Sequence, residues 1–343
     1  MSDTPDKEDG AGSENSARRA SDQAAEPGKP KRRVRRVVLV SLGSVLVVAI
    51  AAAVGIYAYV NHTISSVPRV HVGGLAGAGS AGETFLIAGA PNEPNGTPVQ
   101  GVRPQYTKLF MLLHINPDGR AGGVVSVPGD TMVQVPGFGT EPLWIAFKTG
   151  GPSLLVSTVR QLTGIPINHY AEINLSHLTK LIDTVGGVNV TIPAASTSYG
   201  HLFSSGVNHL TGITATYYDL DPSISDQVRV LRQENLLRAI MIKIANYHLL
   251  TNPVTTIRLL NAITGALTVD SNMTNSDIES LARKLSGLGV GAATFVITPT
   301  KTVNGKLVPN TVVADQLWMA IKKNSIAKFA TAFPAAVTPL VVP

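Results

Sequence analysis

Short apolar runs separated by turn residues mark a series of buried strands. Three of them lie close together and hold almost no polar side chain, which is typical of strands covered on both faces. Two later runs alternate apolar and polar residues, as a strand with one covered face does. The runs are TFLIAGA (84–90), LFMLLHI (109–115), GGVVSV (122–127), NHYAEINL (168–175) and VNVTIP (188–193).

Between these strands, apolar residues recur at helical spacing. PSLLVSTVRQLTG predicts a helix that Gly164 ends, and SHLTKLIDTVGG predicts one that Gly186 ends. A long helical pattern follows from Ser225 to about Leu250, and further helices are expected near 253–264, 276–286 and 314–323, with a strand at ATFVIT. Interleaved strands and helices predict an α/β class with a central mixed sheet flanked by helices.

The pattern also predicts how the chain is divided. Residues 61–83 are rich in Gly, Ala and Ser and indicate a linker, with a first edge strand as the alternative for about Val67 to Gly82, and residues 84–250 hold the α/β core. Residues 251–343 carry the later helices and strand, which either complete this domain or are appended to it.

The N-terminal part has a different pattern. Residues 37–60 carry no charge over about 24 positions, which suffices for one transmembrane helix, and KPKRRVRR (29–36) precedes them. The basic run predicts a disordered cytoplasmic tail over residues 1–36 and an extracytoplasmic main domain, anchored in the cell membrane by a single pass. A cleaved signal peptide is the alternative, although AYVNHTISS is a poor cleavage site. Next to an apolar span, the basic run gives no support for nucleic-acid binding.

The composition of the chain excludes several kinds of functional site. The chain is 44% hydrophobic and 15% charged, with net charge +6 and no cysteine, which excludes disulfides and thiolate metal sites. The eight histidines are scattered without the spacing of a zinc site, and the sequence holds neither a P-loop nor a G-x-S-x-G motif.

One helix start carries a candidate anion site. Arg229, Arg232 and Gln233 share a face in the first turns of the long helix, where free N–H groups and the helix dipole favour an anion. SISD (223–226) has the spacing of a capping box. The three side chains therefore form either a phosphate clamp or a solvated charged face that pairs with Asp226 or Glu234.

Three aspartates are further candidates. Asp219 and Asp221 in YYDLDP could bind a divalent cation with Asp226, or could form an acidic surface turn before Pro222. Asp130 is the one charge in SVPGDTMVQVPG, which reads as a strand end, a tight turn and a second short strand. Its carboxylate either serves catalysis or stabilises the turn.

Four segments carry a family resemblance, in this order along the chain: SVPGDTMVQVPG, the block from Gly150 to Pro193, GVNHLTG and DQVRVLRQ. Over about Thr84 to Leu250, the chain resembles the LytR-CpsA-Psr family of membrane-anchored envelope proteins. The resemblance implies phosphotransferases that move a glycopolymer from a polyprenyl pyrophosphate carrier to peptidoglycan. It also implies a hydrophobic groove for the lipid, arginines that bind the pyrophosphate, and Mg²⁺ held by aspartates.

The chain departs from the family pattern at its arginines. Gly129 stands where the S-I-P-R-D motif has arginine, and Asp219 and Asp221 stand where an R-x-R motif is expected. The element D-x-x-R-x-x-R-Q survives as Asp226, Arg229, Arg232 and Gln233, so the resemblance assigns phosphate binding to the last three and leaves Asp130 beside the groove.

Without a cation between them, aspartates 219 and 221 are expected to repel phosphates. The interpretation is a divergent family protein of cell-wall glycopolymer assembly that binds a polyprenyl-linked (pyro)phosphate with most catalytic arginines missing. The alternatives are an active transferase and a non-catalytic scaffold or regulator.

Overall fold

The computed structural model describes residues 54–77, 79, 81–90, 108–246, 253–287 and 293–342. Most of the predicted tail and membrane span lies outside these ranges; residues 54–65 are helical. Within the described ranges, no helix combines the length and the apolar character that crossing a bilayer requires. The span and its orientation therefore remain predictions.

The strands and helices follow one another along the chain as follows. The strands are β1 (Arg69–Val70), β2 (Glu83–Ala90), β3 (Phe110–Ile115), β4 (Gly122–Ser126), β5 (Met132–Val135), β6 (Gly139–Pro142), β7 (His169–Asn174), β8 (Val188–Ile192), β9 (Ser196–Ser198), β10 (His201–Phe203), β11 (Gly206–Leu210), β12 (Leu267–Asp270), β13 (Ala293–Ile297), β14 (Thr300–Val303) and β15 (Lys306–Pro309). The helices are α1 (Leu143–Thr163), α2 (Leu175–Thr184), α3 (Gly212–Asp219), α4 (Asp226–Asn246), α5 (Pro253–Ala266), α6 (Asn275–Gly287), α7 (Thr311–Lys322) and α8 (Ile326–Ala332).

A seven-stranded sheet lies at the centre, in the order β1-β12-β7-β2-β3-β4-β13. Strands β2 and β7, β4 and β13, and β1 and β12 pair in parallel, whereas β2–β3, β3–β4 and β7–β12 are antiparallel. The α/β class with a central mixed sheet is thus confirmed. Because β12 and β13 belong to this sheet, residues after 250 contribute to the same fold.

Both faces of the sheet are covered, which explains the nearly continuous apolar runs. Side chains along β3 alternate between two cores: Phe110 and Leu112 pack with α1, α7 and α8, whereas Met111 and Leu113 pack on the opposite face, where side chains of α4 and α6 cover them. A third core joins α2, α3, α4 and α5 to the antiparallel pair of β8 and β11.

Helix ends follow the glycines that the pattern indicated. Gly164 ends α1 with φ 61°, and its N–H bonds the Arg160 carbonyl at 2.8 Å. Helix α1 also begins earlier than predicted, at Leu143, and kinks at Gly151 with φ 60° before Pro152. A glycine is needed there because L side chains rarely adopt this conformation.

Several elements were not predicted. They include β12, the hairpins β9–β10 and β14–β15, and helix α3, whose end had been taken for a turn. The Pro-rich C-terminal segment packs against the fold: the Thr338 N–H bonds the Phe295 carbonyl at 3.1 Å, and Val342 is fully buried.

Candidate functional site

The predicted anion site lies at the loop that connects α3 to α4. Thr211 caps the start of helix α3 and forms a reciprocal capping box with Thr214. Helix α4 begins with Ser225 as its cap, whose Oγ accepts from the Val228 N–H at 3.3 Å. Ser223, the predicted first residue of a capping box, instead donates its hydroxyl to Asp221 at 2.6 Å. The Asp221 carboxylate therefore forms hydrogen bonds within the loop that joins the two helices.

Arg232 points into the protein. Its Nη1 donates to the Tyr218 carbonyl at 2.6 Å and to Asp221 Oδ2 at 3.2 Å, and its guanidinium lies 4.6 Å from the centre of the Tyr218 ring. The side chains of the Arg232–Asp221 pair are only 3% and 2% exposed. The solvated-face alternative is therefore wrong for Arg232, and a contact between Arg232 and a phosphate would require this ion pair to open.

Asp219 and Asp221 are buried, so the acidic surface turn is a wrong interpretation. Burial raises the pKa of Asp219 to about 6, although a hydrogen bond from Gln233 and the charges of Arg229 and Arg232 oppose that rise. For Asp221, burial also acts to raise the pKa, but hydrogen bonds from Ser223 and the charge of Arg232 outweigh it and lower the pKa. Charged residues become buried in this way when they are paired.

Arg229 keeps some unused binding capacity. Its Nη2 donates to the Asp221 carbonyl at 3.2 Å, while its buried Nε has no hydrogen-bond partner among the described residues. The two negative charges of Asp219 and Asp221 balance the two positive charges of Arg229 and Arg232. The cluster of Asp219, Asp221, Arg229, Arg232 and Gln233, here called the arginine cluster, is thus close to neutral at pH 7.

Asp130 belongs to a separate ion pair. Its Oδ2 lies 2.6 Å from Lys108 Nζ, and the two side chains are 28% and 37% exposed. Its turn is tied to the start of α1, where the Leu143 N–H bonds the Thr131 carbonyl at 3.0 Å. Asp130 thus lies on a rigid turn with a cation beside it.

Comparisons with known proteins decide the family. The model of the LytR_cpsA_psr family matches residues 79–330, about three quarters of the sequence. The chain belongs to the LytR-CpsA-Psr family.

The relatives come from cell-wall biology. The chain is 33% identical over 169 residues to the probable cell wall biosynthesis protein LcpB of Corynebacterium glutamicum, which is 48% of this chain and 40% of LcpB. It is 33% identical over 147 residues to the polyisoprenyl-teichoic acid–peptidoglycan teichoic acid transferase TagU of Bacillus cereus, 41% of this chain and 48% of TagU. These matches span less than half of each relative's length.

Solved structures share the fold. A LytR-Csp2A-Psr enzyme from Actinomyces oris superposes with a TM-score of 0.61 at 23% identity, covering 74% of this chain and 95% of the enzyme. TagT bound to LIIa-WTA gives a TM-score of 0.57 at 18% identity, covering 76% of this chain and all of TagT.

Gly129, where the family resemblance implies an arginine, is sterically closed. A Cβ added to Gly129 would lie 2.6 Å from the Lys108 Cβ and 2.9 Å from the Lys108 carbonyl oxygen. Because the turn's backbone packs directly on Lys108, a side chain at position 129 requires that segment to move. The backbone of this turn, as placed, fits glycine and leaves no room for an arginine side chain.

The Mg²⁺ that the family resemblance implies does not fit the aspartates as they are placed. Both carboxylate oxygens of Asp221 are occupied, one by Ser223 and the other by Arg232. Two guanidinium groups lie nearby and would repel a dication, and no cluster of three metal-ligating acids or histidines occurs among the described residues.

A buried glutamate links the two regions and was not singled out from the sequence. Glu234 Oε1 accepts from the Ser126 N–H at 3.2 Å, joining α4 to the strand that leads into the Asp130 turn. Burial raises the pKa of Glu234 to about 8, so this carboxyl holds a proton at neutral pH. Its position after Arg232 and Gln233 indicated a surface partner for them, and the structure instead points it inward.

Proposed function

We propose that this chain is a cell-envelope protein of the LytR-CpsA-Psr family that binds a polyprenyl-linked (pyro)phosphate carrier of a cell-wall glycopolymer and does not transfer the polymer. It would act outside the membrane on a single-pass anchor, next to peptidoglycan. Relatives named as cell-wall biosynthesis and teichoic acid transfer proteins support the process.

The buried ion pair between Arg232 and Asp221 carries the proposal. Phosphoryl transfer depends mainly on positioning and on cations that stabilise charge in the transition state. Here one arginine is held inside the protein by a carboxylate, and a second carboxylate, Asp219, lies within its field. At an effective dielectric of about 20, a unit charge pair at 4 Å is worth roughly 4 kcal/mol, so the aspartates remove most of the attraction for a phosphate.

Arg229 supplies what binding remains. It is the half-buried arginine of the cluster, and a movement of its side chain would turn the buried, unpartnered Nε toward a ligand. A single guanidinium at a helix start holds a phosphate oxygen through charge-assisted hydrogen bonds. Binding is therefore expected to be modest, dependent on Arg229 and independent of Mg²⁺.

A paired binding and turnover assay tests the proposal. The full chain in detergent would be mixed with a labelled short-chain polyprenyl pyrophosphate glycan and purified peptidoglycan, with and without Mg²⁺. We expect binding that Arg229→Ala weakens about tenfold, which is roughly 1.4 kcal/mol, and no label on peptidoglycan.

The matched control is Arg283→Ala, which removes an exposed arginine of α6 and should leave binding unchanged. Label on peptidoglycan would show an active transferase and contradict the proposal. Binding that is absent, or that ignores Arg229→Ala, would also contradict it and favour the scaffold alternative.

A further inference from the structure

The tip of the β9–β10 hairpin holds an aromatic residue where the backbone favours a different type. Tyr199 and Gly200 have φ values of 49° and 77°, the pattern of a two-residue turn with both central residues left-handed. Glycine and asparagine suit such positions, whereas a bulky side chain there is an outlier that carries strain. The same chain builds its β14–β15 hairpin with Asn304 and Gly305 at φ 50° and 73°.

The strained tyrosine is held firmly. Its ring stacks on Tyr217 with centroids 5.5 Å apart and an interplanar angle of 29°. Its hydroxyl donates to the Leu220 carbonyl at 3.2 Å, and the preceding Ser198 hydroxyl donates to the Tyr217 carbonyl at 2.8 Å. These contacts fix the ring in one orientation before any ligand arrives, which lowers the entropy lost on binding.

Packing alone does not account for this ring. Tyr199 is 37% exposed, whereas the core residues Phe203 and Tyr218 are 1% and 0% exposed. Leu202, on the same hairpin, is 64% exposed. The hairpin therefore presents a rigid aromatic surface to solvent.

The location of this ring points to its ligand. Leu220, whose carbonyl receives the Tyr199 hydroxyl, lies in sequence between Asp219 and Asp221 of the arginine cluster. The apolar C–H face of a pyranose matches a flat aromatic ring, and the exposed Thr197, two residues before Tyr199, offers a hydroxyl to those of the sugar. A lipid surface would be bound better by a broader and more mobile apolar patch than by this single fixed ring.

We propose that Tyr199 forms a sugar-stacking subsite beside the arginine cluster, for a pyranose ring of the lipid-linked glycan or of the peptidoglycan glycan strand. The assignment rests on the proposed function for its biological ligand, whereas the stacking itself does not require a phosphate.

Two oligosaccharides distinguish the sources of the sugar. The N-acetylglucosamine tetramer represents the peptidoglycan glycan, and cellotetraose represents a sugar without acetamido groups. Each would be titrated into the full chain in a detergent without a sugar headgroup, with saturation-transfer NMR as the readout. We expect at least one to bind the wild type, and the one that binds identifies the source.

The variant Tyr199→Asn separates a ligand contact from a structural role. It reproduces the Asn-Gly turn of the other hairpin, so the chain should fold with an equal or higher melting temperature. Oligosaccharide affinity should nevertheless fall at least tenfold, whereas Tyr199→Trp should retain it. Leu202→Ala, on the same hairpin, is the control and should change affinity less than threefold.

Three outcomes would overturn the inference: no binding of either tetramer to the wild type, equal binding by Tyr199→Asn, or loss of phospholipid-vesicle binding in Tyr199→Asn with sugar binding unchanged. The two proposals fail separately. Arg229→Ala should keep oligosaccharide binding, and Tyr199→Asn should keep binding of a short polyprenyl phosphate that lacks sugar.

Discussion

Two ion pairs flank the candidate site, and they differ in how far each is removed from water. The Arg232–Asp221 pair is almost completely buried, whereas the Lys108–Asp130 pair is about one third exposed. A buried pair is strongly destabilising to break because it leaves a lone charge inside the protein, while an exposed pair contributes little. The first pair is part of the interior; the second leaves its groups available to solvent and ligand.

The difference shows how the two regions depart from the family pattern. In the Asp130 turn, the backbone at Gly129, where the family resemblance implies arginine, packs directly against Lys108. In the arginine cluster, Asp221 pairs with Arg232, and Asp219 lies within the field of both arginines. Both arrangements limit the positive charge available to a pyrophosphate, but only the second does so through a buried ion pair.

The largest expected effect comes from opening the buried pair. Asp221→Ala leaves Arg232 without its carboxylate, and the free energy of unfolding should fall by about 3–5 kcal/mol. Chemical denaturation measures it. The matched change in the exposed pair, Asp130→Ala, should cost less than about 1 kcal/mol. Equal losses would show that the two pairs do not differ as described.

A pH series probes the carboxyl that joins the two regions. Between its usual pKa of 4.5 and its folded pKa of about 8, Glu234 keeps a proton in the folded chain that the unfolded chain has lost. Stability therefore falls as pH rises through this window, on the order of 3 kcal/mol from pH 5 to 8.

Denaturation of wild type and Glu234→Gln at pH 5, 6.5 and 8 measures this contribution. The variant should lose the corresponding part of the slope, while Glu279→Gln, at a partly exposed pair on α6, should keep it. An unchanged slope in Glu234→Gln would rule out a protonated carboxyl at this position.

A smaller effect tests the closed backbone of the Asp130 turn. Gly129→Ala places a Cβ against Lys108, and we expect a loss of about 1–3 kcal/mol in denaturation. Gly265→Ala is the matched control, because an added Cβ meets nothing there, and helix α5 should gain up to about 1 kcal/mol. A Gly129→Ala variant as stable as the wild type would mean that the turn can readily accept a side chain.

The parts of the fold visible in the sequence are those whose signals are local. The apolar run Leu109–Ile115 and the αL stop at Gly164 need no distant partner to be recognised, and both were confirmed. The likeness to the family was likewise carried by contiguous motifs and was confirmed.

The site was harder to predict because its partners are distant in sequence or unusual in burial. Arg232 pairs with Asp221 across a loop and a helix start, and aspartates in a turn before proline are ordinarily exposed. Lys108 lies 22 residues before Asp130, so only the sheet brings them together. Nothing in the periodicity of α4 distinguishes its inward Glu234 from a surface residue.

The central claim is that Asp219 and Asp221 neutralise the arginines that would otherwise hold a pyrophosphate. The most direct test is calorimetric titration of a short-chain polyprenyl pyrophosphate into wild type and Asp219→Asn at pH 7.5, with and without Mg²⁺, and with Asp118→Asn as the surface control. Asparagine keeps a partner for Gln233 while removing the charge. We predict about tenfold tighter binding in Asp219→Asn, roughly 1.4 kcal/mol, no change in the control and no effect of Mg²⁺. Unchanged or weaker binding in Asp219→Asn, or binding by the wild type only with Mg²⁺, would contradict the claim.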